Sequence, residues 1–336
     1  MKKIKIGQLG IGHNHGAARM KSLRSLAEYF EVVGVAEDDS AWRAKRGGLR
    51  AYEGLPMMSE AELLAVPGLE AVMVEKDGGE LLPCALRCAE KGLHLCMDKP
   101  GGEDLPGFRR LCDLAQGRGL TLQMGYVYRN NPAVNFCVDA AKRGWLGDVF
   151  EIHAVMSRWD KDEYRRWLSQ FGGGAMYIFA GYLIDIVLRI LGAPERVVPF
   201  MKRTRGDGLV DNGLAVLEYP RATATIRVSV AEVEGYEHRR LIVCGTNGTA
   251  ELCPIEYQRD GAQLDVRLTL KEPRAHYASG TRMVSCGPRG DRYAAQMIEF
   301  ARSVRGEVAN PFPIEHEYLL HKTLLQASGY PLPAEG

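Results

Sequence analysis

The sequence predicts an α/β chain in two parts: an N-terminal doubly wound parallel sheet of Rossmann type, and a C-terminal α+β part containing an open, mainly antiparallel sheet. Three observations carry this. A glycine-rich turn follows the first strand at Gly7, Gly10 and Gly12; strand-like and helix-like patterns alternate as far as Met124; beyond it, short strand-like runs succeed one another across turn residues. Alternation requires crossover helices and a parallel sheet, whereas strands joined by tight turns pair antiparallel. The expected regions are 1–124 and 125–336, with the C-terminal helices packing back on the first. A length of 336 residues suits two cores better than one.

In order, Ile4, Ile6 and Leu9 supply the first strand, Asn14 to Tyr29 take helical spacing, and Phe30 to Ala36 form a second strand that ends at Glu37, Asp38 and Asp39. A helix beginning there aims free N–H groups and its positive dipole end at a pyrophosphate. The acidic strand end falls where a dinucleotide-binding fold takes the ribose hydroxyls. Expected cofactor contacts are therefore Gly10, Gly12, His13, Asn14, His15, Glu37 and Asp38. The G-x-G-x-x-G fingerprint is incomplete, because His15 occupies the third glycine's place and Gly16 comes one residue late.

Ser59 to Ala65 reads as a short helix with a capping box from Ser59 and Glu62. Leu69 to Glu75, His94 to Met97 and Leu120 to Met124 read as strands, separated by helices at Glu80 to Gly92 and Asp104 to Gly117. Ligands of such sheets sit beyond the carboxyl ends of the strands, so the loops at Gly10 to His15, Glu37 to Asp39, Glu75 to Gly79 and Asp98 to Gly102 should share one edge. Further on, Asn131 to Arg143 and Ala175 to Leu191 are expected helices. Val149 to Arg158, Arg196 to Lys202, Gly213 to Tyr219, Ala222 to Val230, Arg239 to Cys244 and Thr249 to Leu252 are expected strands, and Tyr293 to Ser328 returns to helix.

Composition excludes several classes. A formal net charge of +1, with 25% charged and 46% hydrophobic residues, marks an ordinary globular protein with no pull toward nucleic acid or anionic membrane. No apolar run approaches the roughly 20 residues that span a bilayer, and Met1 leads into a strand without a secretory segment, so a cytoplasmic protein is expected. The 8 cysteines form no C-x-x-C pair and read as reduced, buried apolar residues. No metal is expected: His13 and His15 read as a polar turn facing solvent or cofactor.

Several motifs, taken together, resemble the family of glucose-fructose oxidoreductase, inositol dehydrogenase and MocA. CMDKPGG (Cys96 to Gly102) resembles its strand-end E-K-P motif and GYVYRNNPAV (Gly125 to Val134) its domain-crossing segment. GWLGDV, GGGAMYIFAGYLID and VCGTNGTAEL follow in the family's order. The resemblance implies NAD or NADP chemistry on sugars, cyclitols or related polyols. It makes Lys99 the leading catalytic residue, its charge stabilising an alkoxide beside the nicotinamide. Asp98 and Pro100 flank it on the cofactor side.

Departures from the family pattern accompany the resemblance. Lys76 to Leu81 lacks the T-P-N-x-x-H-like segment, and the helix motif D-x-G-x-H-x-x-D has Ile178 for its first aspartate and Tyr182 for its histidine, keeping Asp185. Tyr182 and Asp185 are the remaining catalytic candidates there; a phenol with an ordinary pKa of about 10 suits proton donation. Tyr126, Arg129 and Asn131, with Trp167 in an aromatic and basic loop, are the expected substrate contacts. Glu37 and Asp38 favour NAD over NADP, with Arg43 and Arg46 nearby pulling the other way. A homo-dimer or homo-tetramer through the open sheet is expected. The alternative to an enzyme is a nucleotide- or sugar-binding relative acting as sensor or partner subunit.

Overall fold

A computed structural model of the chain describes residues 2–257 and 261–332, so Met1 and the end of the expected second region, 333–336, lie outside it. Two compact units form: Met1–Tyr126 with Tyr293–Tyr318, and Val127–Arg292 with Leu319–Gly336.

The first unit runs β1 (Ile4–Leu9), α1 (Gly16–Ser25), β2 (Phe30–Ala36), α2 (Ser40–Arg46), β3 (Met57–Met58), α3 (Glu60–Leu64), β4 (Ala71–Val74), α4 (Leu81–Glu90), β5 (His94–Met97), α5 (Leu105–Gly117) and β6 (Leu122–Met124). Its six strands are parallel, in the order β3-β2-β1-β4-β5-β6. The order reverses between β1 and β4, the switch point at which such sheets open a ligand crevice. Every residue of β4 is buried, as a strand covered on both faces must be.

The first helix is shorter than its expected range of Asn14 to Tyr29. It starts at Gly16 with His15 as N-cap and stops at Ser25. The capping box at Ser59 and Glu62 forms as expected. Asp39 caps α2, a helix the sequence reading omits, by accepting from the N–H groups of Ala41 and Trp42.

The second unit contains α6 (Pro132–Lys142), β7 (Val149–Ser157), α7 (Asp162–Leu168), α8 (Gly174–Phe179), α9 (Gly181–Leu191), β8 (Arg196–Lys202), β9 (Asn212–Tyr219), β10 (Ala222–Ser229), β11 (Arg240–Gly245), β12 (Gly248–Leu252), β13 (Gln263–Leu270) and β14 (Gly280–Pro288). After it come α10 (Ala294–Val304) and α11 (Ile314–Ala327). The eight-stranded sheet has the order β14-β13-β12-β11-β7-β10-β9-β8, antiparallel except where β7 and β10 run together. The expected helix from Ala175 to Leu191 is two, α8 and α9, meeting at Ala180. Gly174 opens the first because a Cβ there would stand 2.4 Å from the Val210 carbonyl oxygen.

Among the described residues, no helix is long and apolar enough to cross a membrane.

Candidate functional site

The site in the first unit is built at the carboxyl ends of β1, β2, β4 and β5. Gly10 leaves β1 with φ +90°, and a Cβ there would fall 2.6 Å from the Lys76 backbone nitrogen. Only glycine lets the loop lie so close to the end of β4. A Cβ at Gly12 would meet Asp77 at 2.9 Å and the Trp42 ring at 3.0 Å. The missing third glycine is supplied one place late, since a Cβ on Gly16 would press on Gln8 Nε2 at 3.1 Å and the Tyr52 hydroxyl at 3.3 Å. Close helix-to-strand packing is therefore kept, and His15 is released to turn its ring elsewhere.

That ring turns toward β5. His15 Nδ1 lies 3.0 Å from Asp98 Oδ2, and His13 Nδ1 lies 2.5 Å from the same oxygen. The loop is pinned there by the His13 N–H donating to the Glu75 carbonyl. Asp98 Oδ1 accepts the Lys99 N–H at 2.7 Å, fixing the peptide that carries the lysine. Lys99 is only 3% exposed, and Pro100 after it is buried. Behind these groups, buried Arg19 donates to Glu75 Oε1 at 2.6 Å and to Cys96 Sγ at 2.7 Å.

Burial raises acids and lowers bases, and neighbours add to or oppose it. Burial lowers the His15 imidazole to about 4 against the pull of Asp98. Burial alone would raise Asp98, but His13 and His15 hold its carboxyl well below the usual range. Burial holds the Glu75 carboxyl well above its ordinary value despite Arg19.

At the end of β2, Glu37 is buried and turned back on the loop: Oε2 accepts the Ile11 N–H at 2.9 Å, and Oε1 accepts the Asp39 N–H and the Lys76 ammonium. Asp38 is exposed and accepts the Glu60 N–H that opens α3. Arg43 donates to the Glu37 and Met58 carbonyl oxygens, and Arg46 to the carbonyl oxygens of Ile11 and His13 and to the side chain of exposed Asn14. Tyr126 is buried in this unit just beyond β6.

The second unit holds the other expected residues. Tyr182 is nearly buried, its ring 5.3 Å from that of Tyr128. Asp185 is ion-paired with Arg129 at 2.8 Å, both side chains 1% exposed. Asn131 caps α6 through the N–H groups of Ala133 and Val134 and donates to the Ile255 carbonyl. Trp167 stacks on Tyr164 at 5.2 Å, and Arg165 beside it is committed to Asp207 and Asp211.

Sequence reasoning misses two groups. Arg19 and Glu75 carry the signal of a charge on an otherwise apolar helix face and strand end. In the second unit, Glu256 takes the Arg239 guanidinium at 2.5 Å and the Tyr128 hydroxyl at 2.8 Å, while Arg158 pairs with Asp160 and lies over the rings of Tyr164, Phe179 and Tyr236. Nothing in the local pattern marks these last residues.

Residues 138–251 match the family model described as the GFO/IDH/MocA C-terminal domain. An uncharacterised oxidoreductase of Rhizobium meliloti is 28% identical over 299 residues, covering 88% of this chain and 86% of its own. D-xylose 1-dehydrogenase (NADP(+)) 2 of Haloferax volcanii is 25% identical, covering 81% and 83%. Among solved structures, the WlbA dehydrogenase of Bordetella pertussis, in complex with NADH and UDP-GlcNAcA, superposes with a TM-score of 0.81 at 17% identity, covering 99% of each chain. At that identity the likeness speaks for the fold alone.

Proposed function

We propose, for a chain that belongs to the GFO/IDH/MocA family of oxidoreductases, that it transfers a hydride between a nicotinamide dinucleotide and a sugar, cyclitol or related polyol. One observation carries most of the weight: a buried lysine, Lys99, stands at the end of β5, its peptide fixed by Asp98, at the same sheet edge as the glycine turn. The close approach of Gly10 and Gly12 to their neighbours suits a cradle where a dinucleotide backbone lies against bare peptide. The names of relatives that act on xylose and on scyllo-inositol support the substrate class.

In this reading Gly10, Gly12 and the start of α1 hold the pyrophosphate, and Glu37 takes the adenosine ribose hydroxyls, which selects NAD over NADP. The nicotinamide, when bound, supplies the hydride donor or acceptor. Lys99 donates a charge-assisted hydrogen bond to the reacting oxygen and stabilises its alkoxide. Tyr182 is the proton-carrying group. Tyr126, Asn131 and Trp167 offer polar and stacking contacts to a polyol. Titration of the protein with NADH and NADPH, followed by turnover on a panel of sugars and inositols, tests the reading; absence of dinucleotide binding overturns it.

We also propose a homo-oligomer through the uncovered face of the second unit's sheet. Phe200, Leu214, Arg227 and Val155 lie there in one register row, with Val198 and Val216 in the next. Phe200 is 49% exposed, a large apolar side chain that association would cover. Sedimentation at micromolar concentration should show a dimer or tetramer, and a clean monomer counts against it.

A further inference from the structure

We infer that His13, His15, Asp98 and Glu75 form a binding site for one divalent transition cation of the Zn2+ class, set under the glycine loop. Two imidazoles and two carboxylates converge there. One donor atom from each of His13, His15 and Asp98 lies within 4.8 Å of the others. The separations are 2.5 Å from His13 Nδ1 to Asp98 Oδ2, 3.0 Å from His15 Nδ1 to the same oxygen, and 3.7 Å from His13 Nδ1 to Glu75 Oε2. Ligands at zinc bonding distances stand about 3.3 Å apart around a tetrahedron, so shifts of about 1 Å convert these contacts into coordination.

A second observation points the same way. Glu75 is fully buried; its Oε1 is taken by Arg19, but its Oε2 accepts no hydrogen bond and faces His13. Such an oxygen is costly to bury unless something positive meets it. Glu75 and Asp98 also place two carboxyl groups, each 0% exposed, in one dry volume.

The donor set chooses the ion. Two nitrogens and two carboxylate oxygens in four-fold array suit Zn2+ or Co2+, whereas Ca2+ and Mg2+ call for six or more oxygens. Outer contacts of the usual kind are present: Arg19 orients Glu75, and the Lys99 N–H orients Asp98. The His15 side chain is 25% exposed, which gives the ion a way in. Loading would tie the loop after β1 to the ends of β4 and β5 and brace the peptide that carries Lys99.

The test uses the full chain, stripped with chelator and titrated with Co2+. A stoichiometric visible band of four-coordinate Co2+, bleached by Zn2+, is expected. It should weaken in His13→Gln/His15→Gln and in Asp98→Asn by at least the roughly 10–100-fold that even outer-shell changes cost. Cys244→Ser/Cys253→Ser/Cys286→Ser, which removes the thiols that are not buried, should keep it. Should the ligand variants fail to fold, the stripped wild type still reports, since Zn2+ bound to the native state raises its Tm with concentration. Absence of both band and Tm shift overturns the inference, as does a band unchanged in the double histidine variant. NADH titration of the same stripped protein reads the dinucleotide proposal separately: NADH uptake with neither a Co2+ band nor a Zn2+-dependent Tm shift overturns the cation alone, and a Co2+ band without NADH uptake overturns the dinucleotide reading alone.

Discussion

Arg129 and Asp185 hold each other in the second unit: Arg129 Nε and Nη2 donate to Asp185 Oδ1 at 3.0 and 2.8 Å, with both side chains out of water. Removing one partner strips the other buried charge of this ion pair, with Arg189 standing 4.0 Å from Asp185 on its far side, and breaking a buried pair typically costs about 3–5 kcal/mol. Asp185→Ala should therefore lower unfolding free energy by that order in urea titration, and Arg129→Met/Asp185→Leu should cost less than either single loss. Unchanged stability with abolished turnover would move Asp185 from support to chemistry.

Gly10→Ala tests the cradle. The new Cβ would strike the Glu75 and Lys76 backbone in a left-handed conformation, and strain of this kind costs about 1–3 kcal/mol before the clash is counted. Tm should fall and NADH affinity should drop at least about tenfold. Gly16→Ala, whose nearest contacts are 3.1 to 3.4 Å, should do less on both measures.

The alternation of strands and helices is legible in the sequence because each element declares itself locally, through apolar periodicity, capping residues and glycines. What local pattern cannot supply is the partner across the fold. Arg19 meets Glu75 from 56 positions away, and Arg129 meets Asp185 across the same separation. The resemblance marks Arg129 and Asp185 as site residues, but nothing in their local sequence announces that the fold pairs them with one another. The displaced glycine is readable at Gly16, but not its consequence: with the third glycine one residue late and His15 at the N-cap of α1, the His15 ring reaches Asp98. The strands β13 and β14 escape notice although QLDVRLTL alternates cleanly, because turn residues on both sides blur their limits.

The proposed preference for NAD rests on the end of β2. Arg43 and Arg46 donate to carbonyl oxygens and to Asn14, and the Glu37 carboxylate, held on the loop by the Ile11 and Asp39 N–H groups and by Lys76, is placed to oppose a 2′-phosphate in the proposed cradle. Calorimetry should show NADH binding at least about tenfold tighter than NADPH, a difference of about 1.4 kcal/mol. Glu37→Gln should narrow that gap by removing the repulsion. Tighter binding of NADPH by the wild type would reverse the assignment.

In the proposed reaction Lys99 and Tyr182 each have a role in charge management, and substitution separates the two. Lys99→Met keeps a flexible stem in a buried position and deletes only the ammonium. Because a charge-assisted hydrogen bond at a developing alkoxide is worth most in the transition state, kcat should fall roughly a hundredfold or more while NADH affinity stays within about threefold. Tyr182→Phe deletes one hydroxyl from a ring that keeps its packing against Tyr128, so stability should hold within about 1 kcal/mol. If that hydroxyl carries the proton, kcat falls with it, and Tyr182→His, which restores an imidazole at the position where the resembled motif has one, recovers part of the rate. Wild-type turnover in Tyr182→Phe beside a dead Lys99→Met would show that the tyrosine only packs. The proton would then have to pass through another group.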